Sequence, residues 1–245
     1  MKVGVLGAGV MGSGIAQVTA TAGYETVCYD IDADALAHGR EHVATGRYGL
    51  ERGVERGKLT RDDADAALAR LTFTGSFDDV AATDLVIEAV PERLELKVRV
   101  FRDLDKAAPA TTILASNTSG FPIAALAAST DRPDRVVGWH WASPPVVMRL
   151  AEIIVTRDTS DDTMTAVRDV AARCEKNPVV VKDTPMAWGF VTNRVYFAMI
   201  AEARKVVDEG IASPDDVDQL MMDCFRWPTG PFGMVKGATE GWKES

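Results

Sequence analysis

No run of about 18 apolar residues occurs in the chain, so no segment reads as a membrane-spanning helix. The start, MKVGVLGAG, lacks the charged stretch and long apolar run of a secretory signal, which leaves a cytoplasmic protein as the default expectation. Cysteine is scarce: Cys28, Cys174 and Cys224 are odd in number, widely spaced and form no CxxC pair, as expected of reduced structural thiols. Positive charge is in deficit, and a formal net charge of −9 argues against a nucleic-acid partner. No internal repeat or low-complexity linker stands out. Histidine is limited to three residues, so the surroundings of each carry weight.

What is present is a globular composition. The hydrophobic fraction of 47% is ample for a core, and 245 residues allow one large or two modest domains. Lys2 to Leu6 reads as a short buried strand running into Gly7-Ala8-Gly9-Val10-Met11-Gly12 and then a helical pattern through Ala22. This is a GxGxxG turn in strand–turn–helix context. The first glycine permits the tight turn, the second lets backbone approach a pyrophosphate, and the third lets helix and strand pack closely. A second strand, Glu25 to Tyr29, ends at Asp30, about 20 residues on, where a carboxylate accepts hydrogen bonds from a ribose diol and repels a 2′-phosphate. NAD is therefore expected over NADP.

Strands alternating with helices predict an α/β fold with a mostly parallel, Rossmann-type sheet. A helical region is expected from Asp34 to about Leu68, with Thr60 and Asp63 as an N-cap and first turn. Further strands are expected at Asp84 to Ala89, Thr111 to Ala115 and Val136 to His140, with a helix from Glu92 to Ala107. Leu150 to Val155 and Pro178 to Val181 read as edge strands flanking a helix from Ser160 to Cys174. Phe190 to Asp208 is a long amphipathic helix, and Ser213 opens another with Pro214 at its first position. The expected division is a dinucleotide-binding domain over 1–183 and a small all-helical domain over 184–245.

Between Ser116 and Glu152 the chain places Ser119, His140 and Glu152 around two strand-like runs. A hydroxyl, an imidazole and a carboxylate can bind an oxygen, move its proton and hold the ring that moves it. Imidazole, with an ordinary pKa of about 6.5, suits proton exchange near neutral pH. Read singly, each has a bland alternative: His140 a core or capping histidine, Glu152 a solvated edge-strand charge, and Ser119 a helix N-cap. His38-Gly39-Arg40-Glu41-His42 spells HxxEH, an inverted zinc-protease pattern, but Gly39 weakens the helix and no third ligand is identifiable. Two solvated surface histidines are the expectation there, and no metal.

Taken together, GAGVMGSGIAQ from Gly7, EAVPERLELK from Glu88, ASNTSGFPI from Ala115, GWHWASPPVVMRLAEII from Gly138, KDTP from Lys182, GFVTNR from Gly189 and WPTGPFGM from Trp227 resemble the L-3-hydroxyacyl-CoA dehydrogenases over nearly the whole chain. The resemblance implies an NAD-binding Rossmann domain followed by a helical substrate and dimerisation domain, hence an acyl-CoA substrate and a homodimer. It makes His140 the base that takes the proton of the substrate's 3-hydroxyl, with Glu152 fixing its tautomer. Ser119 and Asn193 would hydrogen-bond the reacting oxygen; alone, Asn193 is equally a satisfied buried amide. Glu92, Lys97 and Ser143 match positions beside the cofactor, although Glu92 also suits a helix N-terminus and a lysine such as Lys97 is usually solvated on an exposed helix face. Arg47, Arg52, Arg56 and Lys58 lie in the arm that faces coenzyme A in the family. Arg52 and Arg56, sharing a helix face, are the substrate candidates, with Glu51 and Glu55 interleaved as in a salt-bridged surface helix.

Three departures stand out. Trp141-Ala142-Ser143 replaces a run with phenylalanine and then asparagine, so Ser143 substitutes a shorter hydroxyl for an amide on the nicotinamide side. Met186-Ala187-Trp188 reads as an insertion between KDTP and GFVTNR, and the chain ends at Ser245, short of the helices that relatives carry. Two alternatives follow: a dehydrogenase of a free hydroxy acid or sugar acid, similar to the gulonate dehydrogenases, and a non-catalytic NAD-binding structural protein.

Overall fold

The computed structural model describes residues 1–183 and 188–240, in two compact units, Met1–Phe190 and Val191–Ser245. The boundary expected after residue 183 and the Met186 and Ala187 of the expected insertion lie where residues are not described.

In the first unit the chain runs β1 Lys2–Leu6, α1 Val10–Thr21, β2 Glu25–Tyr29, α2 Ala33–Thr45, α3 Leu50–Glu55, α4 Arg61–Arg70, β3 Leu71–Thr74, α5 Phe77–Ala81, β4 Leu85–Glu88 and α6 Leu94–Ala107. It continues with β5 Ile113–Ser116, α7 Ile123–Ala127, β6 Val136–Trp141, β7 Leu150–Val155, α8 Asp161–Arg173 and β8 Asn177–Lys182. The eight strands form one sheet in the order β3-β2-β1-β4-β5-β6-β7-β8. The first six are parallel; β7 runs antiparallel to β6, and β8 runs parallel to β7. Strand order reverses between β1 and β4, the crevice where open α/β sheets bind ligands. β8 is an edge as expected, but β7 is an interior strand, because its backbone pairs with β6 on one side and β8 on the other.

Alternation along each strand builds two cores. Val3, Val5, Leu85, Ile87, Trp139 and Ile153 point to the face covered by α1, α2 and α8. Val27, Val86, Leu114, Val136 and Ile154 point to the face covered by α5, α6 and α7. The helical region expected from Asp34 to about Leu68 is three helices. It breaks at Gly46 and Gly49 and again at Gly57, after which Thr60 and Asp63 form the expected capping box opening α4. Val43, Leu50, Ala64 and Ala67 give this arm a small core of its own.

The second unit holds α9 Thr192–Asp208, α10 Pro214–Phe225 and α11 Pro231–Glu240. Ser213 caps α10 in a capping box with Asp216, with Pro214 at the first position. The Asp218 carboxylate on α10 accepts the backbone N–H of Phe232 at 2.8 Å and of Gly233 at 2.7 Å, satisfying the open end of α11. Asp218→Ala should therefore cost about 1–2 kcal/mol of stability. Urea denaturation followed by helical ellipticity tests this, with no change in the midpoint as the contrary result.

Candidate active site

The glycine turn has the shape a dinucleotide requires. Gly7 sits at φ +108°, and a Cβ there would lie 2.7 Å from the Ala89 carbonyl oxygen. A Cβ on Gly12 would lie 1.8 Å from the Gly7 oxygen, so only glycine lets α1 start this close to β1. At Gly9 a Cβ would meet no atom within 4 Å, leaving open space beside the backbone where a phosphate group approaches. No side chain caps the N-terminus of α1, which begins with exposed Val10 and half-buried Met11; its first N–H groups are free of side-chain acceptors and suited to an anion. Asp30 accepts Ala8 N–H through Oδ2 at 2.8 Å and Asp32 N–H through Oδ1 at 3.0 Å, so the carboxylate is oriented across the turn. These residues fit the pyrophosphate and ribose of NAD.

His140 and Glu152 are cross-strand partners in the antiparallel β6–β7 ladder, which aims both side chains at the same face. Their Nδ1 and Oε2 atoms lie 2.6 Å apart, with His140 6% and Glu152 3% exposed. An ionised carboxylate only accepts, which assigns the proton to Nδ1 and leaves the Nε2 lone pair to receive another. Phe190 packs against the imidazole with ring centroids 5.9 Å apart. On the opposite face, Trp139 and Trp141 stack at 4.6 Å. Glu152 is thus buried and paired, unlike a solvated edge-strand charge.

Ser119 lies in the loop after β5. α7 starts only at Ile123 with Pro122 at its cap, so Ser119 is not a helix cap. Its backbone N–H donates to Glu92 Oε1 at 2.9 Å, and the Thr118 hydroxyl donates to the same oxygen. Glu92 stands just before α6, whose cap is Arg93. Lys97 is not on an exposed helix face: it is 1% exposed, with Nζ 2.7 Å from Glu88 Oε1 and 3.1 Å from Glu92 Oε2. The helix turns this residue inward because Glu88 ends β4 as a fully buried carboxylate. Sequence reasoning missed Glu88, Ser116, Asn117 and Thr118; the visible signal was an acid closing the apolar run Leu85-Val86-Ile87. Asn117 joins this loop to the dyad strand, its Oδ1 accepting the N–H of Trp141, the residue after His140, at 2.9 Å.

A cavity of about 420 Å³ lies between the arm, α1 and the turn joining β6 to β7. Arg47, Arg52, Arg56 and Lys58 line it from the arm, and Arg149, Arg173 and Lys176 from the other wall, against one acid, Glu175, among the described lining residues. Two of these cations also hold the wall together. Lys176 Nζ donates to the carbonyls of Pro145 at 2.7 Å and Met148 at 2.9 Å, and Arg173 Nε donates to that of Ala22 at 3.0 Å. Arg52 pairs with Glu55 at 2.6 Å, as a salt-bridged helix would, yet still faces the cavity; Arg56 is the C-cap of the short α3. Gln17 lines the same cavity, its Nε2 donating to the Tyr48 carbonyl at 2.9 Å.

The remaining candidates are dispersed. Ser143 is exposed in the β6–β7 turn, and Asn193 sits in the first turn of α9 in the second unit. His42 is half-buried rather than solvated, with Nδ1 2.9 Å from the Ser13 hydroxyl, while His38 is exposed. Among the described residues no group of three or more His, Cys, Asp or Glu could hold a metal. Burial pushes the Cys28 and Cys174 thiols up to about 12, which keeps both protonated and unreactive. No helix among the described residues is long and apolar enough to cross a membrane.

A sheet ordered 3-2-1-4-5-6 about a GxGxxG turn, with a buried imidazole–carboxylate pair on the same edge, defines an NAD-binding dehydrogenase fold. The chain belongs to the 3-hydroxyacyl-CoA dehydrogenase family: residues 2–184 match the family's NAD binding domain and residues 189–243 its C-terminal domain. It is 39% identical over 234 residues to a probable 3-hydroxybutyryl-CoA dehydrogenase of Bacillus subtilis, covering 96% of this chain and 79% of that one. It is 36% identical to the human mitochondrial hydroxyacyl-coenzyme A dehydrogenase, covering 99% of this chain and 80% of that one. The crystal structure of (S)-3-hydroxybutyryl-CoA dehydrogenase PaaH1 from Ralstonia eutropha superposes with a TM-score of 0.91 at 41% identity, covering 97% of this chain and 82% of that one.

Gly12→Ala should abolish NADH binding, since the new methyl displaces α1 from the turn. Asp30→Ala should weaken NADH at least about tenfold while narrowing the gap to NADPH. Fluorescence titration with both nucleotides measures this; unchanged discrimination in Asp30→Ala would remove Asp30 as the selecting residue.

Proposed function

We propose that this chain interconverts an L-3-hydroxyacyl-CoA and its 3-ketoacyl-CoA with NAD, acting on short acyl chains such as 3-hydroxybutyryl. The observation that carries the proposal is the buried His140–Glu152 pair, 2.6 Å apart on the sheet edge that also bears the glycine turn. The names of the Bacillus subtilis and Ralstonia eutropha relatives favour the short acyl chain.

The glycine turn and Asp30 would hold NAD, which would supply the hydride acceptor and donor for substrate C3. His140 Nε2 takes the proton of the 3-hydroxyl during oxidation and gives it back during reduction. Glu152 holds the proton on Nδ1 and offsets the charge of the imidazolium. Ser119 donates a hydrogen bond to the reacting oxygen, where negative charge grows during hydride transfer; the same kind of role is assigned to Asn193 on its motif alone, GFVTNR. Glu92 and Ser143 serve the cofactor side. The cations of the arm cavity, Arg52 and Arg56 among them, hold the phosphates of coenzyme A, which an acidic chain can do only through a local positive patch. We assign the chain to the cytoplasm and to a homodimer, the oligomeric state implied by the family resemblance.

NADH consumption with acetoacetyl-CoA tests the reaction. His140→Ala should lower kcat about 10³-fold and Glu152→Gln about 10²-fold, with NADH affinity retained. Arg52→Ala combined with Arg149→Ala should raise KM for acetoacetyl-CoA about tenfold or more without affecting a thioester that lacks the nucleotide end. Turnover of free hydroxy acids with CoA thioesters ignored would overturn the proposal, as would NADH binding with no turnover of either.

A further inference from the structure

We propose that Glu88 is a positioning residue for this reaction, anchoring a closed ring of hydrogen bonds that fixes Glu92 and the Ser119 loop; its catalytic consequence rests on the function proposed above. The ring can be followed atom by atom. Ser116 Oγ donates to Glu88 Oε2 at 2.6 Å and accepts the N–H of Thr118 at 3.2 Å. The Thr118 hydroxyl donates to Glu92 Oε1, Lys97 Nζ pairs with Glu92 Oε2 at 3.1 Å, and the same Nζ donates to Glu88 Oε1 at 2.7 Å, closing the circuit.

Three features show which way the ring acts. The Glu92 side chain is 34% exposed and stands outside any helix or strand, so alone it has several rotamers open to it. Lys97 removes that freedom, and Lys97 is in turn held by Glu88, which has no exposure and is fixed at the end of β4 by pairing with Ser116 across the sheet. The ring's output is the loop: Glu92 Oε1 takes the Ser119 N–H, and Thr118 Oγ1 accepts the N–H of Phe121 at 3.0 Å. The Glu88 carbonyl also accepts the N–H of Asn117 at 2.8 Å, and Asn117 reaches the strand of His140 through Trp141. Glu88 thereby references both residues to one strand end, Ser119 through its carboxylate and the strand of His140 through its backbone carbonyl.

Core stability alone does not account for the arrangement. A buried ion pair is a weak stabiliser, often replaceable by apolar side chains of equal volume without loss. Burial pushes the Glu88 carboxyl up, and Lys97, Ser116 and the Val90 N–H act against that by favouring the ionised form. An apolar pair would avoid the conflict but leave Glu92 Oε2 without its Lys97 partner, and so without the tie from the loop to the end of β4. Lys97 accordingly acts through Glu92, its ammonium being taken up by Glu88, Glu92 and the Val90 carbonyl.

The test uses Glu88→Gln, which keeps the shape but loses the charge, and Ser116→Ala, which opens the ring at a small neutral position and decides the matter if Glu88→Gln fails to fold. Amide hydrogen exchange across residues 117–121 of the unliganded protein should speed up about tenfold in both. The kcat for acetoacetyl-CoA reduction should fall about 10- to 100-fold while its KM stays within about threefold. Wild-type exchange in either folded variant overturns the ring as an anchor. Faster exchange with unchanged kcat overturns the positioning role and leaves a structural one. If the unmodified protein turns over no acyl-CoA, the proposed function fails, and the exchange rates still decide whether Glu88 holds the loop.

Discussion

The reversal of β7 is the constraint on which the chemistry depends. Six parallel strands deliver their C-terminal ends to one edge, and an antiparallel neighbour is what returns a carboxylate directly opposite an imidazole there. Cross-strand partners share a face, whereas a slip of one residue would send Glu152 to the other side of the sheet. The register is held from both sides. Trp139 and Trp141 fill the core beneath α8, while a Cβ on Gly138 would come within 2.9 Å of Ile123 and Ile154 on the opposite face. Lys176 ties down the turn between the strands through two carbonyls, so the dyad inherits the rigidity of a sheet and not of a loop.

The chain's charge acts locally. Its net charge of −9 says little about a cavity lined by seven cations, because charges beyond about 8–10 Å are largely screened at ordinary ionic strength. Within that distance, Arg149, Arg173 and Lys176 reinforce the arm from the opposite wall. Sequence spacing alone brought only the arm's cations together, since the two walls are about a hundred residues apart in the chain and meet only through the sheet.

Legibility followed the strength of the local signal. β1 and β2 were readable to the residue because both are bounded by glycine or acid at a turn, and the caps at Thr60, Ser160 and Ser213 announced their helices through side chains that accept N–H groups. β3, α5 and α7 went unseen because four or five residues hold too little periodicity to separate strand from helix. Within the arm the start of α4 was legible from Thr60 and Asp63, but the breaks at Gly46, Gly49 and Gly57 that set off α3 were not. The site itself divided along the same line. The dyad and the glycine turn are legible as residue types in order, but the burial of Lys97 is not, because a lysine faces inward only where a distant carboxylate waits for it. That carboxylate, Glu88, is found by strand pairing and not by spacing.

The positions of the polar groups follow from the sheet being covered on both faces. A polar side chain in the middle of β1, β4 or β5 would enter a helix-packed core with few partners, at a cost of several kcal/mol if unsatisfied. Chemistry is therefore pushed to the last residue of each buried run or the first beyond it: Gly7 after β1, Asp30 after β2, Glu88 closing β4, Ser116 closing β5 and His140 next to last in β6. Glu88 is the limiting case, far enough inside to be fully buried, and it is tolerated because three donors converge on it from a strand, a turn and a helix. Those donors belong to segments that carry the loop beside it. The need to satisfy one buried charge and the need to hold Ser119 in place are thus met by the same hydrogen bonds, and neither can be relaxed without the other.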